Sequence, residues 1–346
     1  MSAAPPRLRG VIVGFGAVAA SGHLPAWSVR PGVTIGAICD PVAERRHLAH
    51  RTLKGVRVYD NLDLMLDGER PDFVDIASPP AFHASAVRAA LEAGAHVIVE
   101  KPLCLTLDEF DSLAAIARAN ERVLACVHNW KYAPAYKLAG EMIADGRLGP
   151  VRHLALDRMR PAPAGADGDG GRWRRDPASG GGILIDHGWH VFYLLRWLMG
   201  GVNPHAVSAW MAGASSNGGA EEVADIRVVF PGDRIATAHL SWHAPIRRTS
   251  ARIYAVGGLL EIDNDTVVHT DAAGIRRGLS VADAPDDSYH STWFASVAER
   301  FENAIRLGRS GGDETISEDL AEARSALAMI VAARKSARSD GVAIEL

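Results

Sequence analysis

From Leu8 to Trp130, short apolar runs alternate with mixed, helix-compatible stretches. Leu8 to Val13, Val33 to Cys39, Val56 to Tyr59, Phe73 to Ala77, His96 to Val99 and Arg122 to Val127 read as buried strands. Pro41 to Thr52, Asn61 to Leu66, Ala84 to Ala93 and Asp108 to Ala119 read as the helices between them. This alternation predicts a parallel sheet, because parallel neighbours need a crossover connection. Beyond Tyr132 the pattern changes. A helix from Tyr136 to Asp145 and a strand from Val151 to Met159 precede a Pro, Ala, Gly and Asp segment, Pro161 to Gly171, of the composition that often forms a lid. Farther on, six strand-like runs follow one another without helices: Ala206 to Met211, Glu222 to Phe230, Arg234 to Trp242, Arg252 to Val256, Leu259 to Ile262 and Thr266 to Thr270. Hairpin-linked strands predict an antiparallel or mixed sheet open on one face. Helices Ser291 to Leu307 and Ser317 to Arg338 close the chain, with Gly341 placed for a left-handed cap.

Ahead of those strands, GGGILIDHGWHVFYLLRW from Gly180 to Trp197 reads as a strongly apolar helix with few polar residues. At about 3.6 residues per turn, Asp186, His190, Tyr193 and Trp197 share one face. A carboxylate and an imidazole inside such a helix need partners. Either they pair with each other in a core, or they face a site, and the helix by itself leaves both readings open.

Length and composition narrow the class. The 346 residues exceed the span of one hydrophobic core, and the change of pattern divides them into 1-130 and 131-346. A net charge of −4 with no Lys/Arg cluster argues against a nucleic-acid partner. No run approaches the roughly 18 apolar residues of a membrane span. Cys39, Cys104 and Cys126 lack paired spacing, so free thiols, no membrane and a cytoplasmic setting are expected.

Candidate chemistry begins where the first strand ends. Gly14-Phe15-Gly16-Ala17-Val18-Ala19 is a G-x-G-x-x-A turn between strand and helix. Its first glycine permits the turn, its second lets backbone approach a pyrophosphate, and its small third position packs the helix on the sheet. The second strand ends in Asp40, 21 residues after Ala19, where a carboxylate suits an adenosine ribose. These features predict a Rossmann dinucleotide-binding domain, 1-130, with a cradle of Gly14, Phe15, Gly16, Ala17, Val18 and Asp40. An acid at Asp40 disfavours a 2′-phosphate, so NAD is expected, while Arg45 and Arg46 leave NADP open. Ser78-Pro79-Pro80-Ala81-Phe82-His83 and Glu100-Lys101-Pro102 follow strand C-termini, where open α/β sheets bind ligands.

Together these segments resemble the Gfo/Idh/MocA oxidoreductases, which include glucose-fructose oxidoreductase and inositol dehydrogenase. The resemblance rests on GFGAVA at Gly14, CDP at Cys39, SPPAFHA at Ser78, EKP at Glu100, HNWKYAP at His128, GRLGPV at Gly146, WRRDPASGGGILIDHGWH at Trp173 and SARSDGVAIEL at Ser336. It implies an α/β architecture: a Rossmann domain, then an α+β domain, 131-346, with a large open, mostly antiparallel sheet for substrate binding and oligomerisation. It places Ser78, Pro79, His83, Glu100 and Asn129 around the dinucleotide. It gives Lys101 contacts with the nicotinamide and a substrate oxygen, met by Asp186 and His190 from the second domain, with His190 transferring the proton. The chain departs from the family at three places. Gly16 to His23 is one residue longer than the commonest form, Trp130-Lys131-Tyr132 replaces x-Arg-Phe, and Tyr193 stands where an acid often follows the histidine.

The expected reaction is hydride transfer between a nicotinamide and the carbinol carbon of a sugar, inositol or related polyol. Lys101 would stabilise the oxyanion, and Asp186 would orient the imidazole or bind a neighbouring hydroxyl. Trp130, Arg158, Trp173, Arg174 and Tyr193 are candidates to line the substrate site, since aromatic faces and fork donors suit hydroxylated rings, and the sequence leaves open whether the Tyr193 phenol also backs the histidine. Two alternatives use the same fold: an NAD-dependent glycosidase or epimerase with a transient redox step, and a non-catalytic dinucleotide-binding regulator. No metal is expected, because Asp186 and His190 lack an identifiable third ligand. A homodimer or homotetramer through the open sheet face is expected.

Overall fold

The computed structural model describes residues 6–165, 169–213, 220–281, 289–308 and 314–346. The chain divides into two compact units, Met1–Asn129 with Ala284–Ala321, and Trp130–Asp283 with Glu322–Leu346.

In the first unit six strands form a fully parallel sheet: β1 Leu8–Val13, β2 Val33–Cys39, β3 Arg57–Tyr59, β4 Phe73–Ile76, β5 His96–Val99 and β6 Leu124–Cys126. Their order is β3-β2-β1-β4-β5-β6, so the direction of winding reverses between β1 and β4. A ligand crevice opens at such a reversal, outside the strands' carboxyl ends. Ile12, Phe15, Ala19, Leu24, Ile38, Ala49 and Val56 make one buried cluster that seats the first helix on the sheet. Gly10 serves the same packing, since a Cβ there would run into the Phe73 ring.

The helix Ser291–Arg306 also groups with this unit, whereas the sequence pattern placed it in 131-346. Its apolar face explains the assignment. Phe294 stacks on His23 with ring centroids 3.7 Å apart, Phe301 meets Phe73 and Trp27 edge-on, and Glu302 accepts from Arg30 Nε at 2.5 Å. Periodicity identifies such a helix but not which sheet it covers, because either sheet offers an apolar face.

In the second unit nine strands form a mixed sheet: β7 Val151–Met159, β8 Ala206–Gly213, β9 Glu221–Phe230, β10 Arg234–Ser241, β11 Arg248–Ala255, β12 Gly258–Asp263, β13 Thr266–Asp271, β14 Arg276–Leu279 and β15 Ile344–Glu345. Their order is β14-β13-β12-β11-β7-β10-β9-β8-β15, antiparallel except for β7 with β10. The sequence pattern misses β14, whose residues are polar and exposed, and β15, which is two residues long. In β7 the alternation buries Leu154, Leu156 and Arg158 on the inner face. That face is covered in part by the helix Trp189–Leu198, and Gly140 of the helix Pro134–Ala144 leaves room for the Trp197 ring.

The stretch from Gly180 to Trp197 is not one α-helix. Gly180 and Gly182 have φ of 78° and 113°, Leu184–Gly188 is a π-helical turn, and α-helix begins at Trp189. The wide turn breaks the 100° spacing on which the shared face of Asp186 and His190 was predicted. Among the described residues no helix is long and apolar enough to cross a membrane. Part of the expected Pro161 to Gly171 lid, residues 166–168, lies outside the described residues.

Candidate active site

The glycine turn has the geometry expected of a phosphate cradle. Gly14 has φ +85°, and a Cβ there would lie 2.7 Å from the Ser78 amide nitrogen, so only glycine lets the two loops approach. A Cβ on Gly16 would meet nothing within 4 Å, which marks open space on that side of the turn. The helix starts at Ala17, so the amides of Ala17 and Val18 stand at a helix N-terminus, which favours an anion. The Phe15 ring is part of the core, so this residue offers backbone only.

Asp40, fully buried at the end of β2, ties the turn down. Its Oδ2 accepts from the Phe15 amide and its Oδ1 from the Val42 amide, each at 2.8 Å. Arg45 Nη1 lies 3.5 Å from Oδ2, while Arg46 donates to the Asp40 and Pro41 carbonyls. The carboxylate is therefore pre-positioned by the loop that it organises.

The extra residue between Gly16 and His23 appears as a second π-helical turn, Ala19–His23. One inserted residue in an α-helix is accommodated by such a turn. It delivers His23 into a buried network: Nδ1 lies 2.9 Å from Asp75 Oδ1, Nε2 lies 3.2 Å from Glu100 Oε1, and Trp27 Nε1 donates to Asp75 Oδ2 at 2.7 Å. Burial alone would lower the imidazole pKa, but the charge and hydrogen bond of Asp75, then Glu100, raise it to about 9. The other Glu100 oxygen accepts from the Lys101 amide at 3.1 Å, so the network fixes the backbone that carries the candidate catalytic lysine. Sequence reading missed Asp75; the signal was an acid inside the apolar run Phe73–Ile76.

The loop after β4 corrects one expectation. His83 is buried and aims both ring nitrogens at carbonyls, Nδ1 at Pro102 O (2.5 Å) and Nε2 at Ser78 O (2.7 Å). It braces two loops and has no ring nitrogen left for a dinucleotide. The buried Ser78 Oγ and Asn129 Oδ1, by contrast, have no hydrogen-bond partner among the described residues. Buried polar atoms left unmatched at a ligand crevice fit a site that a bound group completes. Pro79 continues the same turn in extended conformation.

In the second unit the other predicted residues converge. Tyr193 Oη accepts from the Trp130 amide at 3.0 Å and lies 3.0 Å from His190 Nδ1. The Trp130 ring is tilted against His190, with centroids 5.8 Å apart, and the Arg158 guanidinium stacks on that ring at 4.0 Å. Arg158 Nε donates to His187 Nδ1 at 3.0 Å. A guanidinium only donates, so His187 Nδ1 accepts and its proton resides on Nε2, which lies 3.7 Å from Asp186 Oδ2. Asp186 Oδ2 in turn accepts from Arg174 Nε at 3.0 Å, and Arg174 lies over the Trp173 ring at 4.5 Å. At His190 Nδ1, then, the orienting part expected of Asp186 is played by Tyr193, while Arg174 holds Asp186. The π-helical turn places His187 beside Asp186.

The triple glycine holds this cluster's entry. Arg334 Nη2 donates to the Gly181 carbonyl and to Glu221 Oε1 at 3.0 and 2.8 Å, and a Cβ on Gly182 would run into Glu221.

The comparisons agree with this geometry. Residues 8–128 match the model of the "Oxidoreductase family, NAD-binding Rossmann fold", and residues 136–261 match the "GFO/IDH/MocA C-terminal domain". The chain is 28% identical to D-apiose dehydrogenase of Paraburkholderia graminis over 77% of its own length and 66% of that protein's. It is 29% identical to D-glucoside 3-dehydrogenase of Escherichia coli K12 over 58% of its length and 57% of that protein's. The crystal structure of GenD2 from gentamicin A biosynthesis in complex with NAD superposes with a TM-score of 0.83 at 26% identity, covering 100% of this chain and 98% of that one. The chain is an oxidoreductase of the GFO/IDH/MocA family, with the family's NAD-binding Rossmann domain and its C-terminal domain.

Proposed function

We propose that the protein is an NAD-dependent dehydrogenase that oxidises a carbinol of a sugar, inositol or related polyol. The observation that carries the reading is the His190–Tyr193–Trp130 arrangement. Tyr193 Oη has two lone pairs; one accepts from the Trp130 amide, and the other suits an Nδ1–H of His190. In that tautomer Nε2 of His190 carries the ring's basic lone pair and takes the hydroxyl proton. Lys101, fixed at its amide by Glu100, stabilises the oxyanion as charge develops on the substrate oxygen. Asp186, held by Arg174, is left to bind a neighbouring hydroxyl. Bound NAD supplies the hydride acceptor at C4 of its nicotinamide.

The cradle around Gly14, Gly16 and Asp40 supports a dinucleotide, and the Asp40 carboxylate, which would repel a 2′-phosphate, favours NAD over NADP. Arg45 Nη1, 3.5 Å from that carboxylate, offsets part of the repulsion. The names of D-apiose dehydrogenase and D-glucoside 3-dehydrogenase support a carbohydrate substrate. Exposed Trp210 and Tyr254 on the outer sheet face support assembly as a homodimer or homotetramer through that face.

A panel of aldoses, inositols and uronates with NAD, followed by absorbance of NADH, tests the assignment. Net NADH from a member of the panel supports it. Cleavage or epimerisation without NADH favours the internally recycled redox step, and NAD binding with no turnover of any member favours a regulator.

A further inference from the structure

Alternation in β7 puts position 158 on the face that buries Leu154 and Leu156, yet the residue is an arginine. Arg158 is only 7% exposed. Its Nε is spent on His187 and one face of its guanidinium on Trp130. Its two terminal nitrogens have no hydrogen-bond partner among the described residues. Its neighbours are provided for differently. Arg160, equally buried, donates to the carbonyls of Met159 and Arg248 and to Thr249 Oγ1, and Arg174 has Asp186.

The charge balance points the same way. Asp186 is already claimed by Arg174, and Arg160 and Arg247 add like charge beside Arg158. Burial is the largest influence on the Arg158 guanidinium and brings the pKa down to about 10, with Tyr136 and Asp186 opposing the fall and Arg247 adding to it. Arg160 falls to about 9 through burial, then Arg158 and Arg247. A desolvated cation among like charges gains most from an anion, and a guanidinium fork matches a carboxylate in two parallel hydrogen bonds. Neutral hydroxyls supply acceptors but leave the charge uncompensated.

We propose that the substrate carries a carboxylate, as in a uronate or aldonate, and that the terminal nitrogens of Arg158 receive it. The proposal rests on the dehydrogenase reading above and narrows its substrate class. Sugar pairs matched in ring stereochemistry, glucose with glucuronate and galactose with galacturonate, test it through NADH formation and calorimetric binding in the presence of NAD. For at least one pair the acid should exceed its neutral partner about tenfold or more in kcat/KM, the scale of a charge-assisted hydrogen bond. In Arg158→Gln that ratio should collapse toward one, and Arg158→Lys should restore part of it. Arg247 is exposed, so Arg247→Gln is expected to fold, and it should lower the ratio more weakly.

Equal or better turnover of the neutral partner in every pair, or an unchanged ratio in Arg158→Gln, overturns the proposal. If Arg158→Gln does not fold, Arg247→Gln decides: a reduced ratio supports the anion site and an unchanged one overturns it. NADH from neutral sugars alone removes the anion site and keeps the dehydrogenase. Uronate binding that disappears in Arg158→Gln, with no NADH from any sugar, keeps the anion site and removes the dehydrogenase.

Discussion

His190 Nδ1 lies 3.0 Å from Tyr193 Oη, and the same oxygen accepts the Trp130 amide at 3.0 Å. One phenol therefore holds both the candidate base and the backbone of the ring packed against it. Tyr193→Phe keeps the ring and removes the oxygen. With the Oη contacts to the Trp130 amide and His190 Nδ1 removed, kcat should fall about tenfold or more, the scale of one lost buried hydrogen bond. The alkaline and acid limbs of the kcat/KM profile should move, while NAD affinity measured by fluorescence titration should stay within about twofold of wild type. A weakened NAD affinity with an unchanged pH profile would contradict the role given to Tyr193.

His23 makes stability depend on pH in a definite direction. Its pKa is about 9 in the folded protein against an ordinary 6.5. A raised pKa means the stabilisation is complete below about pH 6.5 and is lost as pH rises through about 9. The shift corresponds to at most about 3 kcal/mol. Urea unfolding at about pH 6, 7.5 and 9.5 should show that decline, and His23→Gln should be less stable at the lowest pH with a flatter profile across this window. A His23→Gln curve parallel to wild type would mean that another group is responsible.

Asp40 organises the glycine turn and, in the proposed NAD complex, would also present its carboxylate to the ribose. Asp40→Asn retains one carbonyl acceptor but loses the charge and half of the hydrogen-bond set. The Kd for NAD should rise about tenfold or more, with a smaller rise for NADP, so that the preference narrows. An unchanged ratio of the two dissociation constants would remove Asp40 from cofactor discrimination.

Gly14 is constrained twice, by its positive φ and by the nearness of the Ser78 backbone. Gly14→Ala should cost about 1–3 kcal/mol of stability, the scale of a residue held in an unfavourable backbone region. It should also weaken NAD binding by pushing the two loops apart. Gly16→Ala meets no protein atom within 4 Å. It should leave the melting temperature close to wild type while lowering NAD affinity, and comparing the two variants by calorimetry separates loop strain from ligand contact.

Much of this was legible in the sequence, for identifiable reasons. The strands of the Rossmann unit announce themselves because buried parallel strands are continuous apolar runs, and Gly14 and Asp40 lie at their ends, where ligands bind. Lys101, Asp186 and His190 stand out because they are charged or titratable groups in apolar or proline-locked surroundings. What escaped depended on departures from regular geometry. The turns at Ala19–His23 and Leu184–Gly188 are π-helical, and periodicity at 3.6 residues cannot anticipate where each one delivers His23 or turns Asp186 toward His187 and Arg174. His83 resembled a ligand contact until its two carbonyl partners were seen. The helix Ser291–Arg306 joins the first unit through Phe294 and Phe301, a choice made by tertiary packing alone.

The central claim is direct hydride transfer from a carbinol carbon to NAD with His190 as the base. Once the panel yields a substrate, the same compound deuterated at the reacting carbon can be incubated with enzyme and NAD, and the nicotinamide analysed by mass spectrometry. The account predicts that the deuterium appears at C4 of the reduced nicotinamide, with a rate that drops at least ~100-fold in His190→Asn, the contribution of a general base. Deuterium lost to solvent, or unaltered transfer rates in His190→Asn, would contradict it.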